Sequence, residues 1–280
     1  MAIRLKKLKV YHLDITGMMT IICLSSFNVS AYNDNKIHWP NGAKAAVSLA
    51  YDDALNSHLD HALPALNKLN LKASFYLTLS SPTVNNRLAE WRSTAKQGHE
   101  LGNHTINHAC KGSLPAREWV PAHNDLDKKQ FAEIIREIKT ANTFLKAIDG
   151  ETIRTFTVPC ADQVVENKNY VRALHDAFVG IKSHVGKIPH DSASINIMNA
   201  AVWAPLGNTG VELIAYAQQA ALHGTIANFT FHGIGGDYLS VSKKAHQELL
   251  NYLADNKNIY WVDTYRNISL YIKKNASEHP

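Results

Sequence analysis

The chain has 280 residues, of which 45% are apolar and 19% are charged, which is ordinary for a soluble globular protein with a sizeable core. Its formal net charge is +5, but much of that excess lies in residues 1–31, which hold Arg4, Lys6, Lys7 and Lys9 against Asp14. The rest of the chain shows no basic patch with interleaved aromatic residues, which argues against a nucleic-acid partner.

The first part of the chain has the pattern of a secretory signal peptide. A basic segment, 1–10, precedes the apolar run 15–24, and Val29-Ser30-Ala31 places small residues where a signal peptidase acts. The apolar run is too short to be a permanent membrane span. We predict a signal peptide at 1–31, one mature domain at 32–280 and export to the periplasm or the medium. An uncleaved anchor or a misassigned start is the alternative.

The remaining chain alternates between β-rich apolar runs and segments with helical periodicity. Strands are predicted at 45–51, 73–79, 153–158, 178–181, 226–231 and 259–262. Helices are predicted at 58–69, 126–148, 211–222 and 241–253, whereas 184–204 has no regular pattern. This alternation favours a single α/β domain in which βαβ units build a parallel sheet, and the number of units favours a barrel.

Residues suited to metal binding or proton transfer follow several predicted strands. They are Asp52, Asp53, His104, His108, Cys160 (directly after Pro159) and His232. In a barrel of parallel strands, functional residues collect at the C-terminal ends of the strands, so these side chains are expected on one face. If the chain after Gly102 enters a first helical turn, His104 and His108 share one side and can bind a single ion, for which Zn²⁺ is suited.

Four short motifs resemble those of the polysaccharide deacetylase family, also called the NodB-homology family or carbohydrate esterase family 4. They are Ser48-Leu49-Ala50-Tyr51-Asp52-Asp53, His104-Thr105-Ile106-Asn107-His108, Val158-Pro159-Cys160 and Phe231-His232-Gly233. The likeness runs from about Ala43 to the segment 259–272. It implies a distorted (β/α) barrel of about seven parallel strands, one divalent metal ion, commonly zinc, and hydrolysis of acetyl groups on a carbohydrate substrate.

The resemblance also implies a role for each matching residue. The metal ligands would be Asp53, His104 and His108. Asp52 would be the general base, and His232 would be the general acid that protonates the leaving amine or alcohol. The backbone N–H of Cys160 would stabilise the oxyanion. This division suits the chemistry, because one carboxylate is neutralised by the metal while its neighbour stays free to accept a proton from water.

The chain departs from the family pattern at several positions. Many members carry an arginine two residues before the proline, where this chain has Thr157, and Arg154 would point differently from that strand. The usual glycine after the aspartate pair is Ala54. The family motif in which an aspartate precedes a tryptophan has no match here. Trp203 could line a sugar groove, but a position in the core is equally compatible with the sequence. These departures suggest a divergent subgroup.

Two cysteines could form a disulfide, and seven histidines lack metal-binding spacing. Cys110 and Cys160 would be able to pair in an exported protein, but the sequence favours two buried free thiols at least as strongly. Although His58 could approach the site, we predict exposed positions for the histidines without metal spacing. They are His58, His61, His175, His184, His190, His223 and His246.

Three functions are compatible with this pattern. The first is N-deacetylation of an acetylated glycan such as chitin oligomers or peptidoglycan, the second is an O-acetyl esterase acting for example on xylan, and the third is carbohydrate binding without turnover. The intact set of candidate residues argues against the third. Substrate choice depends on loops, foremost 111–125 with Trp119 and then 184–204. Trp91, Trp119 and Trp261 are interpreted as core or groove edge.

Overall fold

The computed structural model describes residues 37–278, so the predicted signal peptide lies outside the described residues. Ten strands are present in this part of the chain. They are β1 (Ala45–Asp52), β2 (Ser74–Leu77), β3 (Glu100–Asn103), β4 (Thr155–Thr157), β5 (Val164–Val165), β6 (Lys168–Asn169), β7 (Gly180–Val185), β8 (Ala200–Val202), β9 (Ile226–Phe231) and β10 (Tyr260–Val262). All except the small antiparallel pair β5–β6 belong to one parallel sheet.

The parallel sheet curls into a nearly closed barrel, as predicted. Its strands run in the order β10-β1-β2-β3-β4-β7-β8, and β9 pairs with β1 along the register Ala46–Ile226 to Tyr51–Phe231. A further bridge between Trp203 and Phe229 brings the end of β8 beside β9. Seven strands therefore surround the barrel interior, and β10 adds to the first half of β1.

Seven α-helices accompany the strands between residues 37 and 278. They are α1 (Leu63–Lys68), α2 (Pro82–Asn86), α3 (Leu88–Lys96), α4 (Phe131–Asp149), α5 (Gly210–His223), α6 (Lys243–Asp255) and α7 (Tyr265–Glu278). The longest, α4, begins with a capping box between Gln130 and Glu133 and ends at Gly150, whose φ of 80° is left-handed. None of the helices in this range has the length and apolar character needed to cross a membrane.

Two strands of the barrel, β3 and β8, were not predicted, for different reasons. In β3, Glu100 is fully buried and its carboxylate accepts hydrogen bonds of 2.6 Å from Ser74 and from Thr155, both on neighbouring strands. The interior of the barrel thus satisfies a polar side chain that looks like a loop residue in the sequence. The second strand, β8, lies inside the unplaced segment 184–204 and has only three residues.

Two histidines predicted to be exposed are buried, and that interpretation was wrong for both. His246 lies on the apolar side of α6, with its Nε2 2.7 Å from the hydroxyl of Tyr51. His58 lies in a π-helical turn before α1 and packs edge-on against the ring of Tyr51. Each imidazole has a polar partner that only the folded chain provides, which is why a local pattern could not identify it.

Because His58 and His246 are buried, we predict that the free energy of unfolding falls in acid. Burial lowers the pKa of His246 to about 3 and that of His58 to about 4. In the unfolded chain both bind a proton near pH 6.5, so the unfolded state takes up more protons as the pH falls from 6.5 towards 4. The free energy of unfolding should therefore fall by up to about 1.4 kcal/mol per pH unit for each histidine.

Urea unfolding at pH 7 and pH 5 measures this effect. We expect His246→Gln, which can keep a hydrogen bond to Tyr51, to lose less stability between the two values than the wild type. The exposed His223→Gln should behave like the wild type. If the free energy of unfolding depends equally on pH in the wild type and in His246→Gln, the prediction for buried His246 is wrong.

Three tryptophans that do not line the groove pack in or beside the hydrophobic core. Trp91 is fully buried, whereas Trp261 is half-buried against Trp39 and Tyr271. Trp203 packs against Tyr216 and Phe229, with ring centroids 4.8 and 5.9 Å away, so it belongs to the packing between β9 and α5.

Candidate active site

A groove of about 1030 Å³ opens at the C-terminal ends of the barrel strands, a size typical of ligand sites. Every site residue predicted from the sequence contributes to its lining. These residues are Asp52, Asp53, His104, His108, Cys160 and His232. The groove thus collects side chains from the ends of β1, β3, β4 and β9, which are far apart in the sequence.

The two aspartates lie where β1 ends. Side chains of successive strand residues point to opposite faces, so a change in the backbone is needed for both carboxylates to reach the groove. This change occurs at Asp53 and Ala54, whose φ values are 82° and 53°. Such left-handed conformations cost about 1–3 kcal/mol for residues other than glycine. The expected glycine at position 54 would adopt this turn freely, and here an alanine does so.

His104 and His108 belong to an irregular loop after β3, so the predicted helical turn is wrong. Its backbone N–H groups bind side chains instead of helical carbonyls. Asn103 Oδ1 accepts from Thr105, and Thr105 Oγ1 accepts from His108, both over 2.8 Å. Glu137 of α4 accepts from the next two N–H groups, those of residues 106 and 107. With left-handed φ values at Thr105 and His108, the loop turns both imidazoles towards Asp53.

The three predicted metal ligands face one another. The Nε2 atoms of His104 and His108 each lie 3.2 Å from Oδ1 of Asp53, and the three ligand atoms are all within 4.8 Å of one another. This oxygen is buried and accepts no hydrogen bond. The Nδ1 of His104 lies 2.8 Å from the carbonyl of Thr157, an outer contact that orients a metal-binding imidazole. The donor set therefore fits a divalent cation.

The electrostatics of this cluster favour a positive charge on His104 but not on His108, because burial and the neighbouring His104 lower the pKa of His108 to about 4. Burial alone would lower the pKa of His104, but the carboxylates of Asp52 and Asp53 outweigh it and raise the value to about 9. Burial likewise opposes the charge on Asp53, but the neighbouring histidines lower the pKa of that carboxyl well below its usual range. The same negative field that draws a proton to His104 would draw a metal cation to the three ligands.

Asp52 differs from Asp53 in its surroundings. Its Oδ1 is buried without a hydrogen-bond donor, and its Oδ2 lies 3.9 Å from Nε2 of His104. Burial raises the pKa of Asp52, while His104, His232 and Lys182 oppose that rise. Oδ1 of Asp53 thus faces two imidazoles, whereas Oδ1 of Asp52 has no hydrogen-bond partner.

Lys182 of β7 is a site residue that the sequence analysis missed. It is 1% exposed, lines the floor of the groove, and donates to Ser48 Oγ over 2.9 Å and to the carbonyl of Phe229 over 3.2 Å. Burial lowers its pKa to about 7, although Asp52 and Glu100 oppose the shift. The sequence feature that could have identified it is its position directly after the predicted strand 178–181. Arg154 is instead buried against Asp149, away from the groove.

His232 lies directly after β9, with its Nε2 3.8 Å from Oδ2 of Asp53. Its backbone is held by His58. Because Nδ1 of His58 accepts from the N–H of Leu55, its Nε2 carries the proton and donates to the carbonyl of His232 over 2.9 Å. The prediction that His58 could approach the site is therefore confirmed, and this imidazole joins the loop after Asp53 to the end of β9.

Cys160 lies in a turn after β4 and has a left-handed φ of 55°. It forms a disulfide with Cys110, with the Cα atoms 5.9 Å apart, so the alternative of two free thiols is wrong. Sγ of Cys110 lies 3.6 Å from Nδ1 of His108. The bridge therefore joins the loop that carries His108 to the turn that carries Cys160.

Removal of this disulfide should destabilise the fold. The two cysteines are 50 residues apart, and closing a loop of that length contributes about 4 kcal/mol by reducing the entropy of the unfolded chain. We expect Cys110→Ser/Cys160→Ser to unfold at lower urea concentration than the wild type. Reductant should lower the wild-type midpoint and leave the double variant unchanged. Equal stability of the two proteins without reductant would contradict a stabilising bridge.

The loop 111–125 forms part of the groove rim and presents an aromatic surface. Trp119 is 58% exposed, yet its indole N–H donates to the carbonyl of Ala116 over 3.1 Å. The guanidinium of Arg117 lies 5.8 Å from the indole centroid and pairs with Asp162, which lies beside the Cys160 turn. The exposed ring is thus held in place before any ligand binds.

A parallel barrel whose strand ends bring two carboxylates and three histidines into one groove defines a protein with a candidate acid–base and metal centre. Residues 40–178 match the family described as polysaccharide deacetylase, and the chain belongs to that family. Among curated proteins, a gellan lyase from Bacillus sp. is 26% identical over 161 residues, 58% of this chain. The chain spans only 6% and 18% of the lengths of the two curated relatives it matches.

Solved structures share the fold. The Xyl-CE4 domain of a multidomain xylanase from the hindgut metagenome of Trinervitermes trinervoides has a TM-score of 0.52 at 18% identity, covering 84% of this chain and 92% of that one. BA3943 from Bacillus anthracis, a CE4 family pseudoenzyme, has a TM-score of 0.51 at 16% identity, covering 82% of this chain and 66% of that one. At these identities the likeness concerns the fold alone.

Proposed function

We propose that this protein is a metal-dependent hydrolase that removes acetyl groups from an N-acetylated poly- or oligosaccharide. The observation that carries the proposal is the buried Oδ1 of Asp53, which faces two imidazole nitrogens and accepts no hydrogen bond. Such an arrangement of three donors suits Zn²⁺, which takes histidine nitrogen and carboxylate oxygen and keeps a further position open in catalytic sites.

The cation held by Asp53, His104 and His108 would polarise the acetyl carbonyl and lower the pKa of a water molecule. Asp52, whose carboxylate is unpaired at Oδ1, takes the proton of the attacking water. His232 delivers a proton to the nitrogen that leaves, and its position after β9 places it beside the same ligand cluster.

The backbone N–H of Cys160 is assigned to the developing oxyanion. Its left-handed turn lines the groove and is joined to the His108 loop by the disulfide. A fixed N–H of this kind stabilises charge that grows in the transition state, because it needs no reorganisation during the reaction.

A carbohydrate suits the groove because its rim offers an exposed aromatic face at Trp119. The C–H face of a pyranose ring is apolar and can cover such an indole, while its hydroxyl groups reach polar side chains. We also propose export of the mature protein. The disulfide supports it, since disulfides persist in oxidising compartments, and the signal-like pattern at 1–31 agrees.

Acetate release from chitin oligomers, peptidoglycan and acetylated xylan, each with added Zn²⁺, tests the proposal. Release from an N-acetylated glycan supports N-deacetylation. Release confined to xylan would replace it with an O-acetyl esterase, which shares the carbonyl chemistry and differs in the leaving group. Zn²⁺ binding without acetate from any substrate would favour a carbohydrate-binding protein.

A further inference from the structure

Tyr238 makes a contact that the proposed function leaves unused. It lies in the 233–241 loop that follows His232, and 53% of the residue is exposed. Its hydroxyl nevertheless donates a 3.0 Å hydrogen bond to Oδ2 of Asp53. The hydroxyl of this half-exposed residue therefore reaches the buried carboxylate that the proposed function assigns to the metal.

The two oxygens of Asp53 have separate environments. Oδ1 faces the imidazoles of His104 and His108 over 3.2 Å and has no hydrogen-bond donor. Oδ2 accepts from Tyr238, while Nε2 of His232 remains 3.8 Å away. The tyrosine hydroxyl therefore occupies the oxygen that points away from the ligand cluster and limits rotation of the carboxylate.

The loop that carries Tyr238 is attached to the segment after Asp53. The N–H of Ser57 donates to Asp237 over 2.9 Å, and Oγ of Ser57 accepts from Ile234 over 3.1 Å. Gly233 allows the loop to turn tightly, since a Cβ there would lie 2.1 Å from the carbonyl oxygen of Gly236. The position of Tyr238 is thus linked to the same backbone that presents Asp53.

We propose that Tyr238 is a positioning residue for the metal site, where its hydroxyl holds Asp53 so that the carboxylate offers a single oxygen to the cation. This inference rests on the metal site of the proposed function. Outer hydrogen bonds of this kind orient ligands, and their loss typically weakens metal binding about 10- to 100-fold.

The chemistry of the tyrosine fits a donor role. A phenol O–H donates readily to a carboxylate oxygen, and the 3.0 Å contact with Oδ2 of Asp53 has this geometry. The ring of Tyr238 also lines the groove, so its hydroxyl and its ring can contribute in different ways. The hydroxyl acts on Asp53, while the ring face is available to a sugar.

Zn²⁺ affinity of the purified protein, measured by competition with a chromophoric chelator and without any glycan, tests the inference. We expect Tyr238→Phe to bind Zn²⁺ about 10- to 100-fold more weakly than the wild type. Tyr271→Phe is the matched control, because it removes a hydroxyl that donates to the carbonyl of His38 outside the groove, and its affinity should equal that of the wild type. Thermal melts of the metal-free proteins verify that both variants fold.

Each outcome has a distinct meaning. Equal Zn²⁺ affinity of Tyr238→Phe and wild type would overturn the positioning role, even if the protein deacetylates a glycan. A wild type that binds no Zn²⁺ would overturn the proposed metal site and this inference together. If acetate release is detected, Tyr238→Phe should keep the wild-type KM at saturating Zn²⁺, whereas Tyr238→Leu should raise KM because it also removes the ring.

Discussion

The Asp52→Asn variant should lose about 10²- to 10⁴-fold in kcat while it retains its metal, the range expected when a general base is removed. The asparagine side chain has nearly the shape of aspartate but no basic oxygen that can accept the proton of water. Because Oδ1 of Asp52 makes no hydrogen bond in the folded protein, the substitution breaks no contact at that atom. Acetate release at saturating Zn²⁺, together with metal content by mass spectrometry, measures the two effects separately.

A matched control is Asp176→Asn, which makes the same chemical change at an exposed position that does not line the groove. It should keep wild-type turnover. Substantial acetate release by Asp52→Asn would refute the assignment of this residue as base. Loss of metal together with turnover would instead indicate that Asp52 is a ligand, which would exchange the roles of the two aspartates.

The His104→Ala variant should lose stable metal binding. The wild type is expected to hold about one divalent ion, and the variant should bind Zn²⁺ at least about 100-fold more weakly. This loss is larger than the one expected when only a hydrogen bond to a metal ligand is removed. The physical reason is the central position of His104, whose Nε2 faces Asp53 while its Nδ1 is fixed by Thr157. Chelator competition and elemental analysis after dialysis give affinity and stoichiometry.

The control for this substitution is His190→Ala, whose side chain is 89% exposed and lies outside the groove. It should bind Zn²⁺ as the wild type does. Stoichiometric binding that survives in His104→Ala would reject the ligand assignment. Circular dichroism of the metal-free variant excludes unfolding as the cause of a loss.

Much of the site could be predicted from the sequence because its chemistry is concentrated in short segments at strand ends. Asp52 and Asp53 follow an apolar run, and His232 follows another, so their approximate location required only the βαβ pattern. The structure brings these residues to one groove with His104 and His108. Their catalytic and metal-binding roles remain predictions that the variants above test.

Other features could not be predicted because their partners are distant in the chain. In the sequence Glu100 resembles a loop residue, but inside the barrel its carboxylate accepts hydrogen bonds from Ser74 and Thr155. His246 looks exposed until α6 turns it towards Tyr51. Local patterns report periodicity and apolar character, but they do not report which polar groups meet after folding.

The sequence by itself determined the alternation of strands and helices, the residue types at the strand ends and the family to which the chain belongs. Only the tertiary structure decided that Cys110 pairs with Cys160, that Tyr238 reaches Asp53, and that the His104 loop is irregular. The physical reason is that periodicity is a local property of the backbone. Hydrogen bonds and disulfides between separate loops depend instead on how the closed barrel brings its strand ends together.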